Sequence, residues 1–529
     1  MTSGIPTFLQ DRYPSDASIG GTGQKTNNAI KLYGRRLYKD QTPVEYLAEL
    51  LLVFLSAKTS DGKLGHSFQL DSDDIGYYPE NRIALKLFSF YPTSKLETRH
   101  TAHQDKYIEA LSQVKAQLNR GTDEQKDDTI RILQSLFSGF TGVAKNRTWV
   151  THSFLPVAPS LISREVAWRH KEAQKDNTLD WNACLKYFDT GSHLFMARGG
   201  ELLFLQLAHL FTLTSEEFNQ KLNINVSKEY HHLTDVTLHE LQLSLESALS
   251  KLLKGSLKKV EQLSSFIEVS LRDVTLNKAG EPKTKKATLG WVPRASIQEA
   301  FLFATELNNI CESSLSELEK LEMMQLLCCL HVLRSLSFQA QRLSQPETKM
   351  QGFIGNYAWV VSAPDAPRSS ASRRLSQSSF EEIESLLYSV LRVVHGVTEP
   401  GEEYRDKEAD EHGFKIFRKI CKEIGLVIPK TGQGQRFVLP PALLRVLVAA
   451  VIKPGERVRL TEFYKRVFAH FGIAIASQQL SVAINRSETS QKNNDYAMTT
   501  ESLWIEEALK QGGFLVELSD AVSIVHNPK

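Results

Sequence analysis

The chain of 529 residues has only five cysteines, and none of them (Cys184, Cys311, Cys328, Cys329, Cys421) stands in a Cys-x-x-Cys pair. That scarcity argues against a disulfide scaffold or a structural zinc framework, and fits reduced thiols packed inside helices. Long hydrophobic runs are missing too. The longest, 44–57 and 442–452, fall short of the about 20 residues a hydrocarbon core demands, and the first contains Glu45 and Glu49. No membrane-spanning helix is expected. The opening, Met1 to Tyr13, lacks a basic segment followed by an apolar one, so no secretory leader is expected and the expected location is cytoplasmic.

Nucleotide and metal signatures are equally sparse. Gly20-Gly21-Thr22-Gly23-Gln24-Lys25-Thr26 resembles a phosphate loop, but GxxxxGK[ST] needs Gly directly before Lys. His231, His232, His239 and Glu240 lack the His-x-x-x-His spacing of a helical zinc site, and no third ligand can be named. His100 and His103 are three apart and can share a helix face, where surface or capping roles are expected. Asp71, Asp73 and Asp74 begin like a calcium loop, but no Glu closes it after Gly76. No cofactor, metal ligand or catalytic residue is therefore assigned. A metal-dependent nuclease whose carboxylates and lysine are dispersed along the chain remains the enzymatic alternative, because such sites leave no short signature.

What is present is an ordinary globular composition, 41% hydrophobic and 23% charged, enough to bury several cores. Helical patterning dominates. Residues 1–28, rich in Gly, Ser, Thr and Asp, are expected to be a flexible N-terminus. A helical N-terminal domain follows over 29–145. Thr42, Pro43 and Glu45 provide a capping box with Pro at the first helical position, and helices are expected over 104–118 and 123–138, the second entered through Asp123 and Glu124.

The middle domain, 146–363, contains apolar residues at three-to-four spacing from Leu238 to Leu271, which predicts a long helix or helical hairpin over 236–272, with Gly255 as the break. After it comes a basic tip carrying Lys278, Lys283, Lys285 and Lys286. Arg198, Gly199 and Gly200 at the entrance to an apolar helix form a candidate anion nest. The competing reading is a tight turn that lets the helix pack, with Arg198 paired to an acid. Residues 364–379, rich in Ser and Pro, read as a linker or exposed loop.

The last domain, 380–529, contains the charge asymmetry. Between His412 and Lys492 there are fourteen Lys or Arg and four Asp or Glu (14 − 4 = +10), whereas the whole chain sums to +2. Lys415, Arg418, Lys419 and Lys422 lie opposite an apolar helical stripe, and Gly425 ends that helix. Arg436 sits on a short strand, Arg457 and Arg459 on another, and Lys465 and Arg466 on the helix after Thr461. Gln478, Gln479, Asn485 and Arg486 lie on a helix capped by Ser477 and are side chains suited to base edges or phosphates. The chain closes on a hairpin, from Gly512 to His526. Basic helices ended by a hairpin predict a winged-helix-like α/β module that binds DNA or an acidic protein surface. One feature opposes DNA: the helix expected before the hairpin, 500–511, carries Glu501, Glu506 and Glu507 against Lys510 alone.

The segments Asp40 to Leu47 (DQTPVEYL), Ala197 to Leu203 (ARGGELL) and Leu439 to Arg445 (LPPALLR) resemble bacterial proteins encoded among multi-gene anti-phage systems such as Druantia or the phosphorothioate-linked restriction systems. The resemblance implies a cytoplasmic accessory subunit working beside a separately encoded helicase, ATPase or nuclease. The expected protein is thus mainly α, a multi-domain helical body with a winged-helix-like C-terminal module, acting as a non-catalytic scaffold.

Overall fold

Local signals place the helix Pro43–Leu55 where the sequence does. Thr42 caps Pro43–Leu55, and the Glu45 carboxylate returns to accept the Thr42 N–H at 2.8 Å, satisfying a donor that would otherwise be orphaned at the helix start. In this computed structural model the described residues are 12–13, 27–34, 37, 40–71, 75–90, 100–143, 147–189, 199–222, 232–233, 237–255, 257–275, 286–290, 292–293, 296–344, 357–393, 403–484, 503–519 and 522–528. They are mainly helical, with strands of two to five residues.

Two units interleave along the chain. Asp40–Phe204 and Ser250–Leu289 form one, and Met1–Lys39, Leu205–Leu249 and Gly290–Lys529 form the other. Boundaries expected at 145/146 and 363/364 each fall inside a single unit.

In the first of these, Thr101–Gln117 and Asp123–Gly139 occupy the two expected helical stretches. Thr122 and Gln125 form a second capping box ahead of the acidic turn. The long apolar periodicity resolves into Leu238–Gly255, which belongs to the other unit as far as Leu249, and Lys258–Thr275, broken at Gly255 as its lack of a side chain suggests. Lys258–Thr275 packs on Thr101–Gln117 and Ile83–Phe90. Lys86, in that last apolar helix, is fully buried and donates to the carbonyls of Val150 (3.2 Å) and Arg164 (2.7 Å).

In the other unit, Glu317–Ser344 is the central helix, packed against Ile297–Glu312, Ala371–Val390, Phe414–Glu423 and Pro441–Val451. Its 28 residues are long and apolar enough to cross a membrane, but 78% of its most apolar stretch is buried by these neighbours, as in a core helix. Inside the segment expected to be flexible, Arg12–Tyr13 pairs with Val292–Pro293 and Asn27 caps Asn28–Tyr33; residues 1–11 and 14–26 lie outside the described residues.

The Ser- and Pro-rich stretch 364–379 is not a linker throughout. Ser370 accepts the Arg373 N–H and starts the helix Ala371–Val390. Ser376 donates to the Phe437 carbonyl, and Ser379 accepts the Val360 N–H while donating to the Ala358 carbonyl. Composition suggested solvent exposure, whereas partners up to 61 residues away turn these hydroxyls into core groups.

The C-terminal elements run in the order helix Pro441–Val451, strand Arg457–Arg459, helix Leu460–Phe471, strand Ile473–Ala474, helix Ser477–Ile484, helix Leu503–Gln511, and strands Leu515–Ser519 and Val522–His526. The final two strands are the expected hairpin. Val522–His526 is central in an antiparallel three-stranded sheet, with Arg457–Arg459 on one edge and Leu515–Ser519 on the other. The helix after Arg457–Arg459 begins at Leu460, so Thr461 lies within it and does not cap it.

Candidate functional site

Strand alternation builds the outer face of that sheet. Val458, Val525 and Leu515 point inward and are buried, so Arg457 and Arg459 on either side of Val458 point the other way and are exposed. The register places Arg459 opposite Ile524 and Ile524 opposite Val516, one row across three strands. Val516 is 43% exposed. Arg457 stands opposite His526, whose Nδ1 lies 3.1 Å from the Phe514 carbonyl. Lys465 is exposed on the adjoining helix. None of Arg457, Arg459 and Lys465 has an ion pair among the described residues.

Three of the other predicted cations, Lys415, Arg418 and Lys419, are paired locally. Arg418 makes a two-pronged bond to Glu384 at 2.5 and 2.6 Å and lies over the Phe414 ring. Lys415 is 3.9 Å from Glu411 and Lys419 is 3.4 Å from Glu423 along the same helical stretch. Lys422 is half-buried, and burial followed by the Arg418 charge lowers its pKa.

Two of the predicted contacts are corrected outright. Arg436 is 3% exposed, with Nε bonded to Ser362 Oγ and its terminal nitrogen to the Pro364 carbonyl. Arg466 is 7% exposed, forked onto both oxygens of Glu456 at 2.8 and 3.0 Å and bonded to Glu462 at 3.3 Å. Burial acts to raise the Glu456 pKa, and the Arg466 bond, the Lys453 N–H and the charges of both residues together reverse this to a net lowering. Both guanidinium groups tie the fold together and are unavailable to a partner. Gln478 is exposed while Gln479 is buried; Asn485 and Arg486 lie outside the described residues. The helix before the hairpin is acidic as expected, with Glu506 and Glu507 beside Lys510, which pairs with Glu517 of the first hairpin strand at 3.2 Å. The sheet is therefore cationic along one edge and acidic along the other.

The candidate anion nest is filled from within. Gly200 N–H donates to the Glu49 carboxylate at 2.8 Å and Gly199 N–H to the Gln41 amide oxygen at 3.2 Å. A side chain on Gly200 would meet Glu49 Cβ and the Tyr46 carbonyl, both at 2.5 Å. The glycines permit close helix packing, with an internal carboxylate taking the position a ligand would have needed. Arg198 lies outside the described residues, as do the Gly20–Thr26 segment, Asp73, Asp74, His231, Lys278, Lys283 and Lys285. Glu240 is used in a cap, accepting from Thr237 Oγ1 at 2.7 Å.

Two polar clusters escaped the sequence reading. In one, Glu306 and Arg334, both fully buried, form a forked pair at 2.6 and 3.0 Å. His470 Nδ1 lies 2.8 Å from the same carboxylate, and His232 Nε2 lies 2.8 Å from His470 Nε2. His331 contacts Arg334 and Gln206, and stacks on Phe303. Burial lowers the pKa of His331 and of His470, with Glu306 partly opposing it at His470. Charged residues inside apolar helices, Glu306 and Arg334 among them, were the available signal. The other cluster joins His100, His103 and Cys184, all buried, with one donor atom from each within 4.8 Å of the others. The histidines are thus neither surface groups nor side-chain caps: His100 occupies the cap position of Thr101–Gln117 without capping it.

No family model matches the chain, and no curated protein or solved structure does either.

Proposed function

We propose that the chain is a non-catalytic helical scaffold, an accessory subunit whose C-terminal module docks an acidic surface of a partner protein. The order of helices, edge strand and closing hairpin supports a winged-helix-like reading of that module. The observation that carries the docking role is the mixed face of Arg457, Arg459, Ile524 and Val516, in which two guanidinium groups without an ion pair among the described residues stand beside the half-buried Ile524 and the exposed Val516. Arginine beside apolar surface is the composition of a protein interface. DNA is the weaker ligand for this face. Five of the fourteen cations that gave the stretch its excess charge, Lys415, Arg418, Lys419, Arg445 and Arg466, are held in ion pairs, Arg436 is buried, and the helix preceding the hairpin carries Glu506 and Glu507, which repel phosphate. The resemblance to anti-phage accessory proteins fits a partner that is a separately encoded helicase, ATPase or nuclease in a cytoplasmic assembly.

The test is a binding series on the full chain with a short DNA duplex and with the proteins encoded beside it. Tight, weakly salt-dependent binding to one of those proteins, lost in an Arg457→Glu/Arg459→Glu variant, is expected. Steeply salt-dependent duplex binding, lost in the same variant, transfers the face to nucleic acid. Plasmid cleavage that requires Mg²⁺ or Mn²⁺ and is abolished by EDTA overturns the scaffold reading in favour of a nuclease.

A further inference from the structure

His100 and His103 sit one helical turn apart at the start of Thr101–Gln117, and Cys184 reaches them from the short helix Trp181–Leu185. The Cys184 sulfur lies 3.9 Å from His100 Nδ1 and 4.0 Å from its Nε2. These distances are long for hydrogen bonds that would hold a thiol in place. Around them stand Trp149, Trp168, Trp181 and Phe188, whose rings lie 4.7 to 5.9 Å from that of His103. Two imidazoles and a thiol are each good ligands for borderline-soft ions, and aromatic faces tolerate a cation close by. Three such donors thus converge inside a largely aromatic core.

We propose that His100, His103 and Cys184 form a buried zinc-binding site. Bond lengths of about 2.0 Å to nitrogen and 2.3 Å to sulfur place tetrahedral donors roughly 3.5 Å apart. The present span of 4.8 Å therefore closes by on the order of 1 Å on loading. Binding replaces the Cys184 S–H bond by a sulfur–zinc bond and releases that proton to solvent. Trp149 reports the event directly. Its indole N–H donates to His103 Nδ1 at 3.4 Å, which leaves Nε2 as the protonated ring nitrogen. Coordination through Nε2 moves that proton to Nδ1, and coordination through Nδ1 takes the lone pair, so either route breaks the indole bond.

The experiment uses the full chain, reduced and stripped with chelator, titrated with Co²⁺ and then Zn²⁺. One Co²⁺ per chain is expected, with thiolate-to-cobalt charge-transfer absorption, a change in tryptophan emission that Trp149→Phe reduces, and displacement by one equivalent of Zn²⁺. Cys184→Ser should remove the charge-transfer band and weaken Zn²⁺ binding at least about 100-fold, more than the loss of an outer-shell partner costs. If circular dichroism shows that this variant does not fold, His100→Asn at the 9% exposed edge of the cluster takes its place, with the same loss of affinity expected. Absence of one-equivalent binding, binding without the thiolate band, or unchanged affinity in the folded variant overturns the site. Retention of Cu⁺ with no affinity for Co²⁺ or Zn²⁺ overturns the zinc assignment.

Discussion

Lys86 is the sharpest test of how the unit formed by Asp40–Phe204 and Ser250–Leu289 is held together. Its ammonium group is fully buried, and burial, only partly opposed by Glu165 and Glu268, lowers its pKa from 10.5 to about 7. A shift of that size corresponds to about 5 kcal/mol of penalty on the charged form. For a base with a depressed folded-state pKa, the unfolded chain binds the extra proton between pH 7 and 10.5. Stability therefore rises with pH across that window, by up to about 1.4 kcal/mol per unit, and the penalty is fully present below pH 7.

Lys86→Met removes the penalty but leaves the Val150 and Arg164 carbonyls without their donor, at a cost of about 1–3 kcal/mol each. The two effects nearly offset at pH 7. At pH 10 most of the penalty is gone and the lost hydrogen bonds dominate, so the wild type should lead by about 3.5 kcal/mol more than at pH 7. Urea unfolding followed by tryptophan emission, on both proteins at each pH from 7 to 10, measures the difference; other titrating groups cancel in it. A wild-type lead that stays constant over that range would refute the claim that this amine is buried and neutral.

Other expectations follow from named contacts. Glu306→Gln leaves the Arg334 charge buried without its counterion and should destabilise its unit by about 3–5 kcal/mol, measured by urea unfolding. Because His331 and His470 are held neutral by burial, the unfolded chain protonates first as pH falls through 6.5. Stability should decline below that pH, and less steeply in His331→Gln, as thermal melts at pH 5 to 7.5 would show. Gly200→Ala forces a Cβ against Glu49 and the Tyr46 carbonyl and should cost about 1–3 kcal/mol. Arg457→Glu and Arg459→Glu, at exposed sites, should change stability by no more than about 0.5 kcal/mol.

The sequence disclosed what is decided within one turn of chain. The capping box at Thr42 and Glu45, the break at Gly255, the left-handed Gly425 (φ 77°) that follows Phe414–Glu423, and the closing hairpin depend on neighbours three or four residues away. The fate of the charges did not show, because it depends on partners far apart. Arg418 meets Glu384 across 34 residues, and Ser376, read as part of a linker, meets Phe437 across 61. Summing charge along 412–492 counted Arg466 and Arg436 as surface although the fold buries both. His100 and Cys184 are 84 residues apart, so their convergence left no spacing to recognise. Lys86 did leave a trace, as the only charge in the apolar helix Ile83–Phe90.

The docking claim meets its most direct test in a photo-reactive residue placed at Val516, beside Ile524 and Arg459, in the full chain expressed in its native cells. The account predicts a nuclease-resistant adduct with one protein after irradiation, absent when Arg457 and Arg459 are both changed to Glu. An adduct that nuclease removes, or equal yields of the protein adduct with and without the two arginines, would contradict it.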